Sequence, residues 1–176
     1  MEIKKSFQGG VVPGPHQVTL ITSGDTNPNI MAVSYVGQLT DNIFYISVRS
    51  SRYTNNLIKQ HRLFGINFME TKHFKETDFC GMVSGRHVDK SKISGLTIES
   101  SEYGIPLIKE SPLSIECELV DTIHLGAHDI FIGRVLCTRR RKKNPDWLFH
   151  DEFEYFGKKG ILGNLFDAGK EMLRNS

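Results

Sequence analysis

Alternation of apolar and polar residues is the dominant pattern of this chain, and a period of two is typical of β-strands that bury one face. Short turn sequences separate the alternating runs, for example residues 24–29 and the glycine at position 126. The predicted strands cover residues 18–23, 30–39, 43–48, 63–69, 113–123 and 129–138. Links of hairpin length between them favour an antiparallel barrel over a parallel sheet wound with helices.

Helical patterns are few and short. Residues 55–60 predict one short helix directly after the third strand. The segment 71–92 is less regular, but Phe74, Phe79 and Met82 are spaced so that they can form one face of a second helix. We therefore expect a mainly β fold with a few short helices.

The chain is predicted to be a single domain over residues 1–176, since its length and its 39% hydrophobic content support one core. Residues 144–176 form a C-terminal extension in which glycines interrupt apolar and aromatic residues. Such a segment needs a surface to pack on. We expect it to lie on the barrel or on a partner subunit.

Charge and cysteine content indicate the compartment and exclude some partners. The formal net charge is only +2, so no strong field draws the whole protein to nucleic acid or membrane. No apolar run approaches the ~20 residues that span a bilayer, and residues 1–6 lack the apolar stretch of a secretory signal. The three cysteines are an odd number and contain no Cys-x-x-Cys pair, which fits free thiols in a reducing, cytoplasmic setting.

Residues 49–58 combine two arginines with three hydroxyl side chains between a predicted strand and a predicted helix. The N–H groups at a helix start attract anions, and guanidinium groups add charge-assisted hydrogen bonds to phosphate oxygens. The segment is therefore a candidate seat for a phosphate monoester. The alternative is a solvated turn with Thr54 as the helix N-cap. The residues concerned are Arg49, Ser50, Ser51, Arg52 and Thr54.

A second candidate segment is 78–90. Gly85, between Ser84 and Arg86, permits close approach of the backbone to a ligand, and Arg86 and Lys90 are suited to holding an anion or a heteroaromatic carbonyl. The alternative is an irregular surface loop. The spacing is not that of a P-loop, and no G-x-G-x-x-G follows any predicted strand.

Other reactive residues give weaker signals. His124 and His128 are four residues apart but flank Gly126 in a predicted hairpin bend, so no metal site is predicted, and His128 remains a candidate for ligand contact or proton transfer. Cys80 is either a redox thiol or a buried small hydrophobe. The basic run 139–143 is either a solvated loop or a nucleic-acid contact.

Several of these segments occur in an order that resembles the flavin reductase-like family, which includes flavoredoxins and ferric reductases. The resemblance covers about residues 11–166. The matching pieces are Pro15 through Thr22 with Ser23, Asn29-Ile30-Met31-Ala32-Val33-Ser34-Tyr35, Ser47-Val48-Arg49 with Tyr53-Thr54 and Leu57-Ile58, Phe64-Gly65-Ile66-Asn67, Ser84-Gly85-Arg86 with Asp89-Lys90, Gly126-Ala127-His128 with 130–135, and Phe156-Gly157-Lys158-Lys159 with Leu162-Gly163.

The resemblance implies a six-stranded antiparallel split β-barrel of Greek-key type with a few short helices. It implies FMN as cofactor, NADH or NADPH as co-substrate, a homodimer, and His128 as the residue that steadies nicotinamide or flavin. The implied FMN contacts are Asn29, Met31, Ala32, Val33, Ser34, Ser47, Val48, Arg49, Ser51, Arg52, Tyr53, Thr54, Ser84, Gly85, Arg86 and Lys90.

The function that the resemblance implies is an FMN-dependent oxidoreductase that passes electrons from a nicotinamide to free flavin, ferric iron or a redox protein, without nucleic-acid or membrane partners. Two departures bear on this hypothesis: Ala127 stands where the family has an acid, and Arg134 stands where a glutamate is usual. They keep open a non-catalytic flavin- or haem-binding carrier or sensor. A nucleic-acid-binding barrel that uses residues 139–143 is the third hypothesis, and it predicts steeply salt-dependent affinity.

Overall fold

A computed structural model describes residues 16–150 of the chain. Strands predominate in this part. The strands are β1 (His16–Gln17), β2 (Thr19–Ser23), β3 (Asn29–Val33), β4 (Val36–Thr40), β5 (Ile43–Arg49), β6 (Leu63–Phe68), β7 (Ile98–Ser100), β8 (Pro106–Ile108), β9 (Leu113–Leu125), β10 (His128–Arg140) and β11 (Phe149–His150). The helices are α1 (Tyr53–His61), α2 (Phe74–Met82) and α3 (Lys90–Ile93), with a single 3₁₀ turn at Thr71–His73.

Seven strands form one antiparallel sheet in the order β3-β2-β6-β9-β10-β5-β4. The pairs β1–β11 and β7–β8 form two small antiparallel sheets of their own. The main sheet is open between its edge strands β3 and β4, so the predicted mainly β split barrel is confirmed. The main sheet has seven strands, whereas six were predicted.

The difference in strand number arises at residues 30–39, which the alternation predicts as one strand. The structure breaks this run at Ser34 and Tyr35 and places its halves, β3 and β4, at opposite edges of the sheet. The amide of Ser47 donates to the carbonyl oxygen of Tyr35 at 2.9 Å, which ties the break to β5. Apolar residues lie on both sides of the break, and positions 34 and 35 contain neither glycine nor proline, so the sequence does not mark it.

Two hydrophobic clusters lie on opposite faces of β2 and its neighbours. The first fills the inside of the curved sheet with residues such as Ile21, Phe64 and Phe131, all fully buried. The second includes Leu20 and Phe79 and packs α2 against the outer face of the sheet. Because both faces of β2 are covered, all five of its residues are buried. This second layer places α2 and α3 beside the edge strand β3.

The predicted helix at residues 55–60 is confirmed and runs from Tyr53 to His61. Its N-cap residue is Arg52, so the alternative interpretation, a solvated turn with Thr54 as N-cap, is wrong: Thr54 lies inside the first turn and is fully buried. The helix ends at Arg62, whose backbone adopts the left-handed conformation with φ of 56°. The predicted helix in the segment 71–92 is confirmed by α2, in which Phe74 and Phe79 pack in the second cluster, whereas Met82 is not among the members of that cluster.

The beginning of the C-terminal extension packs on the barrel. Trp147 meets Phe68 edge-to-face at a ring-centroid distance of 6.2 Å, and Leu148 is buried in the second cluster. The rest of the extension, residues 151–176, lies outside the described residues. Between residues 16 and 150 there is no helix with both the length and the apolar character needed to cross a bilayer.

Candidate functional site

A cleft of about 130 Å³ opens where β3, the start of α1 and the segment 81–90 meet. Most of the predicted FMN contacts line it, together with two residues that the sequence analysis did not name, Gly81 and Val83. No carboxylate is among the lining residues. They are Asn29, Met31, Ser51, Arg52, Tyr53, Thr54, Gly81, Val83, Ser84, Gly85, Arg86 and Lys90.

The start of α1 faces this cleft without a side-chain cap. Arg52, the N-cap residue, has extended backbone angles (φ −75°, ψ 144°) and makes no capping hydrogen bond, and the first turn contains no acidic residue. A helix start carries N–H groups without intrahelical partners and about half a positive charge. The exposed guanidinium of Arg52 adds a full charge beside them. The end of the cleft at α1 is therefore electropositive and rich in donors.

Two buried side chains connect the edge strand to this helix. The Nδ2 group of Asn29 donates to the Oγ1 atom of Thr54 at 2.7 Å. Gly85 passes so close to Asn29 that a Cβ atom added to the glycine would lie 2.0 Å from the Asn29 Oδ1 atom. A side chain at position 85 would therefore require the Asn29 side chain to move from its bond with Thr54.

Arg86 links the segment 81–90 to the loop before α1. Its Nη1 atom donates to the carbonyl oxygen of Ser51 at 3.1 Å, and its guanidinium carbon lies 5.8 Å from the centroid of the Tyr53 ring. The backbone amide of Arg86 donates to the Ser84 hydroxyl oxygen at 3.3 Å. Because a guanidinium has five N–H donors, several remain for a ligand in the cleft.

Lys90 lies at the back of the cleft and is 3% exposed. Its ammonium donates to the carbonyl oxygens of Ile30, at 2.6 Å, and Cys80, at 2.7 Å. Burial lowers the pKa of Lys90 to about 8, because desolvation disfavours its charged form. Two of its three donors hold the protein together, which leaves one for a ligand.

Six of the predicted FMN contacts do not line the cleft: Ala32, Val33, Ser34, Ser47, Val48 and Arg49. The side chains of Val33 and Val48 belong to the inner core cluster, so neither can contact a ligand with its side chain. Arg49 is exposed and pairs in register with His128, across β5 and β10. The sequence spacing could not show which of Arg49 and Arg52 lines the cleft, because the direction of each side chain depends on where β5 ends.

His128 lies on the outer face of β10 and outside the cleft lining. Its Nδ1 atom is 3.0 Å from the Ser47 hydroxyl oxygen, and its ring meets that of Tyr35 edge-to-face at 6.3 Å. The Nε2 atom is the remaining polar group of the ring. His124 bonds instead to Asp129, so the two histidines do not converge, and no cluster of three metal-ligating side chains occurs within residues 16–150.

The sequence analysis missed Asp129, a buried carboxylate behind the start of α1. It accepts hydrogen bonds from Asn55 (2.8 Å), Lys59 (2.7 Å) and His124 (2.8 Å). The donors Lys59, His124 and Asn55 hold the pKa of Asp129 well below its usual range. The sequence did indicate a buried carboxylate at this position, because the period of two puts Asp129 on the same face of β10 as the core residue Phe131.

The two departures from the family pattern have local explanations. Ala127 contributes its carbonyl oxygen, which accepts from the Ser50 amide at 3.0 Å and from the Ser50 hydroxyl at 3.3 Å, and this contact does not depend on the Ala127 side chain. Arg134 pairs with Glu118 of β9 at 2.6 Å. It lies six residues along β10 from His128, roughly 20 Å at strand geometry, and does not line the cleft.

The two remaining candidates, Cys80 and the basic run 139–143, have structural surroundings that explain them. Cys80 is fully buried, and desolvation raises the pKa of its thiol to about 12, so it stays protonated near neutral pH and is not an activated thiol. Three members of the basic run are paired with carboxylates, which reduces the charge that a nucleic acid would meet. The pairs are Arg139 with Glu116 and Glu102, Arg141 with Glu99, and Lys142 with Glu70.

Comparison with known proteins agrees with this fold. The sequence profile of the flavin reductase like domain matches residues 14–157, and the chain therefore belongs to the flavin reductase-like family. An uncharacterized protein of Archaeoglobus fulgidus is 31% identical over 125 residues, which cover 69% of this chain and 71% of that protein.

Two solved flavoredoxins have similar structures. The flavoredoxin of Methanosarcina acetivorans superposes with a TM-score of 0.76 at 29% identity, covering 84% of this chain and 86% of its own. The flavoredoxin of Desulfovibrio vulgaris (Miyazaki F) gives a TM-score of 0.73 at 28% identity, covering 78% of this chain and 76% of its own.

Proposed function

We propose that this protein is an FMN-binding oxidoreductase that takes electrons from NADH or NADPH and passes them to free flavin, ferric iron or a redox partner. The observation that carries the proposal is the cleft at the start of α1, where an uncapped helix, two guanidinium groups and two serines meet. Membership of the flavin reductase-like family and the likeness to two flavoredoxins support a flavin as the ligand.

The chemistry of the cleft fits the phosphate end of FMN. Its lining has guanidinium, ammonium, hydroxyl and backbone N–H donors and no carboxylate, which suits a dianion. A volume of about 130 Å³ suits a phosphate and adjoining carbons, whereas a drug-sized ligand usually needs a pocket of about 300 Å³ or more. The ring system would therefore extend beyond the cleft.

The proposed roles follow from position. Arg52, Arg86 and the N–H groups of α1 would hold the phosphate, and the outer edge of β3 would offer backbone groups to the flavin ring. Bound FMN supplies the electron-transfer chemistry, while the protein binds and orients it. His128, with its Nδ1 atom engaged by Ser47, would present Nε2 to the nicotinamide or the flavin.

We also propose a homodimer. Ile123 and Leu125 are 50% and 64% exposed on the outer face of β9. In register they pair with Ile130 and His128 of β10, so this apolar face is continuous with the candidate catalytic histidine. A second copy of the chain is the proposed occupant. The cytoplasmic location and the single-domain organisation over residues 1–176 remain predictions from the sequence.

The proposal is tested by the absorbance spectrum of the purified protein. We expect a flavin spectrum, release of FMN on denaturation, and bleaching on anaerobic addition of NADH or NADPH. Bound flavin that stays oxidised with both nicotinamides, yet is reduced by a reduced redox protein, would favour the electron-carrier alternative. Purified protein that neither contains FMN nor binds it when it is added would contradict the proposal.

A further inference from the structure

Asp129 is placed to act on the candidate phosphate site without touching a ligand. It is the second residue of β10, is 2% exposed, and does not line the cleft. Two of its three donors, Asn55 and Lys59, are one helical turn apart on α1, and both approach its Oδ2 atom. The third, His124, comes from β9 and approaches Oδ1.

These contacts hold α1 against β10. Asn55 is three residues after the N-cap Arg52, so a bond to Asn55 restrains the turn that carries the free N–H groups. The Oδ1 atom of Asn55 is buried without a hydrogen-bond partner among the described residues. Rotating the amide to satisfy it would turn an oxygen toward the Asp129 carboxylate, so the carboxylate also sets the orientation of Asn55.

The loop before α1 is held by the same hairpin. Ser50 donates twice to the carbonyl oxygen of Ala127, two residues before Asp129. The β9–β10 hairpin therefore holds the loop through Ala127 and the helix through Asp129. Lys59 compensates the charge of the carboxylate, which otherwise would oppose an anion at the helix start.

We propose that Asp129 is a positioning residue that aligns the first turn of α1 for a phosphate group. This inference rests on the proposed function, since it assigns Asp129 a part in the recognition of the FMN phosphate. The proposed role predicts that replacing Asp129 lowers the affinity for a flavin that carries the phosphate and leaves the affinity for the same flavin without the phosphate unchanged. A residue that merely stabilised the fold would affect both ligands alike.

The test compares FMN and riboflavin binding to the full-length protein and to Asp129→Asn, which keeps the size but turns an N–H group toward donors. We expect FMN affinity to fall about tenfold, because a misaligned first turn makes weaker hydrogen bonds to the phosphate, and riboflavin affinity to stay within about twofold. The matched control is Asp121→Asn, the same change at an exposed position of β9. It should leave both affinities unchanged.

Hydrogen exchange in the flavin-free protein gives a second readout. Amides at residues 57–59, which bond to the carbonyl groups of the first turn of α1, should exchange faster in Asp129→Asn than in wild type, whereas those of β2 should not. If Asp129→Asn folds poorly, Asn55→Ala removes the amide that joins the first turn of α1 to Asp129 while the Lys59–Asp129 pair is kept, and it should give a loss that is still specific to FMN.

Equal losses for the two ligands, or unchanged exchange at residues 57–59, would overturn the role of Asp129 while the wild-type preference for FMN stood. A wild-type protein that bound riboflavin as tightly as FMN would overturn the phosphate site itself, and this inference with it.

Discussion

The Asn29 side chain donates a 2.7 Å hydrogen bond to the Thr54 hydroxyl, and this bond joins the first residue of β3 to the first turn of α1. Both residues are buried, and both line the cleft. The residues are 25 positions apart in sequence, yet together they fix the distance between the edge strand and the helix start. The width of the candidate phosphate site depends on this pair.

Arg52→Ala should weaken FMN binding by about 1.5–3 kcal/mol, because it removes a charged donor from the cleft. Arg49→Ala should have a smaller effect, because Arg49 lies opposite His128 and outside the cleft lining. Titration of the flavin-free protein with FMN measures both. Arg140→Ala, at the far end of β10, is the control. Equal losses for Arg52 and Arg140 would mean that the effect is one of net charge.

Gly85→Ala should disturb the cleft, because the new Cβ atom would lie 2.0 Å from the Asn29 Oδ1 atom. Displacing Asn29 breaks its bond to Thr54, and we expect a loss of about 1–3 kcal/mol in the free energy of unfolding, together with weaker FMN binding. The control is Gly104→Ala, where φ is +72° and the surroundings are open. It should cost about 1 kcal/mol of stability and leave FMN affinity intact; FMN binding unaffected by Gly85→Ala would count against the site.

His128→Asn should slow the reduction of bound FMN by nicotinamide more than it weakens FMN binding. The histidine lies outside the cleft lining, and its Nε2 atom is not engaged by Ser47. Anaerobic stopped-flow absorbance measures the rate of reduction, and fluorescence titration measures affinity. His61→Asn, at the end of α1, is the control. Losses of the same size in rate and affinity would contradict the assigned role.

Leu125→Glu should shift the protein toward the monomer, since it places a charge on the apolar outer face of β9. Sedimentation velocity over a range of concentrations measures the change. Tyr103→Glu introduces the same charge at a residue that is also exposed, 45% against 64% for Leu125, but lies in the β7–β8 hairpin. The proposed interface predicts no effect of Tyr103→Glu on association. A wild-type protein that is monomeric at all concentrations would refute the homodimer.

Glu70→Gln should change the pH dependence of stability. Hydrogen bonds from Lys142 and then Lys72 lower the pKa of Glu70 from 4.5 to about 2. A lowered pKa contributes stability above pH 4.5, and this contribution is lost as the pH falls toward 2. We expect the variant to be less stable at pH 7 because it loses two ion pairs. The loss should be only roughly 1–2 kcal/mol, since the exposed ammonium groups are screened by solvent. Near pH 2 the stability of the variant should approach that of the wild type.

Urea unfolding followed by circular dichroism at several pH values measures this difference. Glu102→Gln is the control, because its partner Arg139 already has the buried Glu116 carboxylate and Glu102 itself is exposed. A constant difference between the Glu70→Gln variant and wild type from pH 7 to pH 2 would contradict the assignment.

Much of the fold follows from patterns that are local in sequence. A period of two identified the strands β2, β5, β6, β9 and β10, and the short helix after β5 was recognisable because its apolar residues recur at helical spacing. Two segments that line the cleft, 49–54 and 84–90, were recognisable because arginine, glycine and hydroxyl residues cluster there, whereas 29–34 was identified only by its resemblance to the family. Local backbone preference and side-chain chemistry are properties of a few neighbouring residues, so a single sequence displays them.

The amino-acid sequence alone therefore predicted the β class, most of the strands along the chain and two donor-rich segments, 49–54 and 84–90, that suit an anion. Three features became visible only in the folded protein: residues 30–39 divide between opposite edges of the sheet, Arg52 rather than Arg49 lines the cleft, and Asp129 holds α1 through Asn55 and Lys59. Each of these depends on contacts between residues that are distant in the chain. Long-range packing sets such contacts, and no local pattern encodes them.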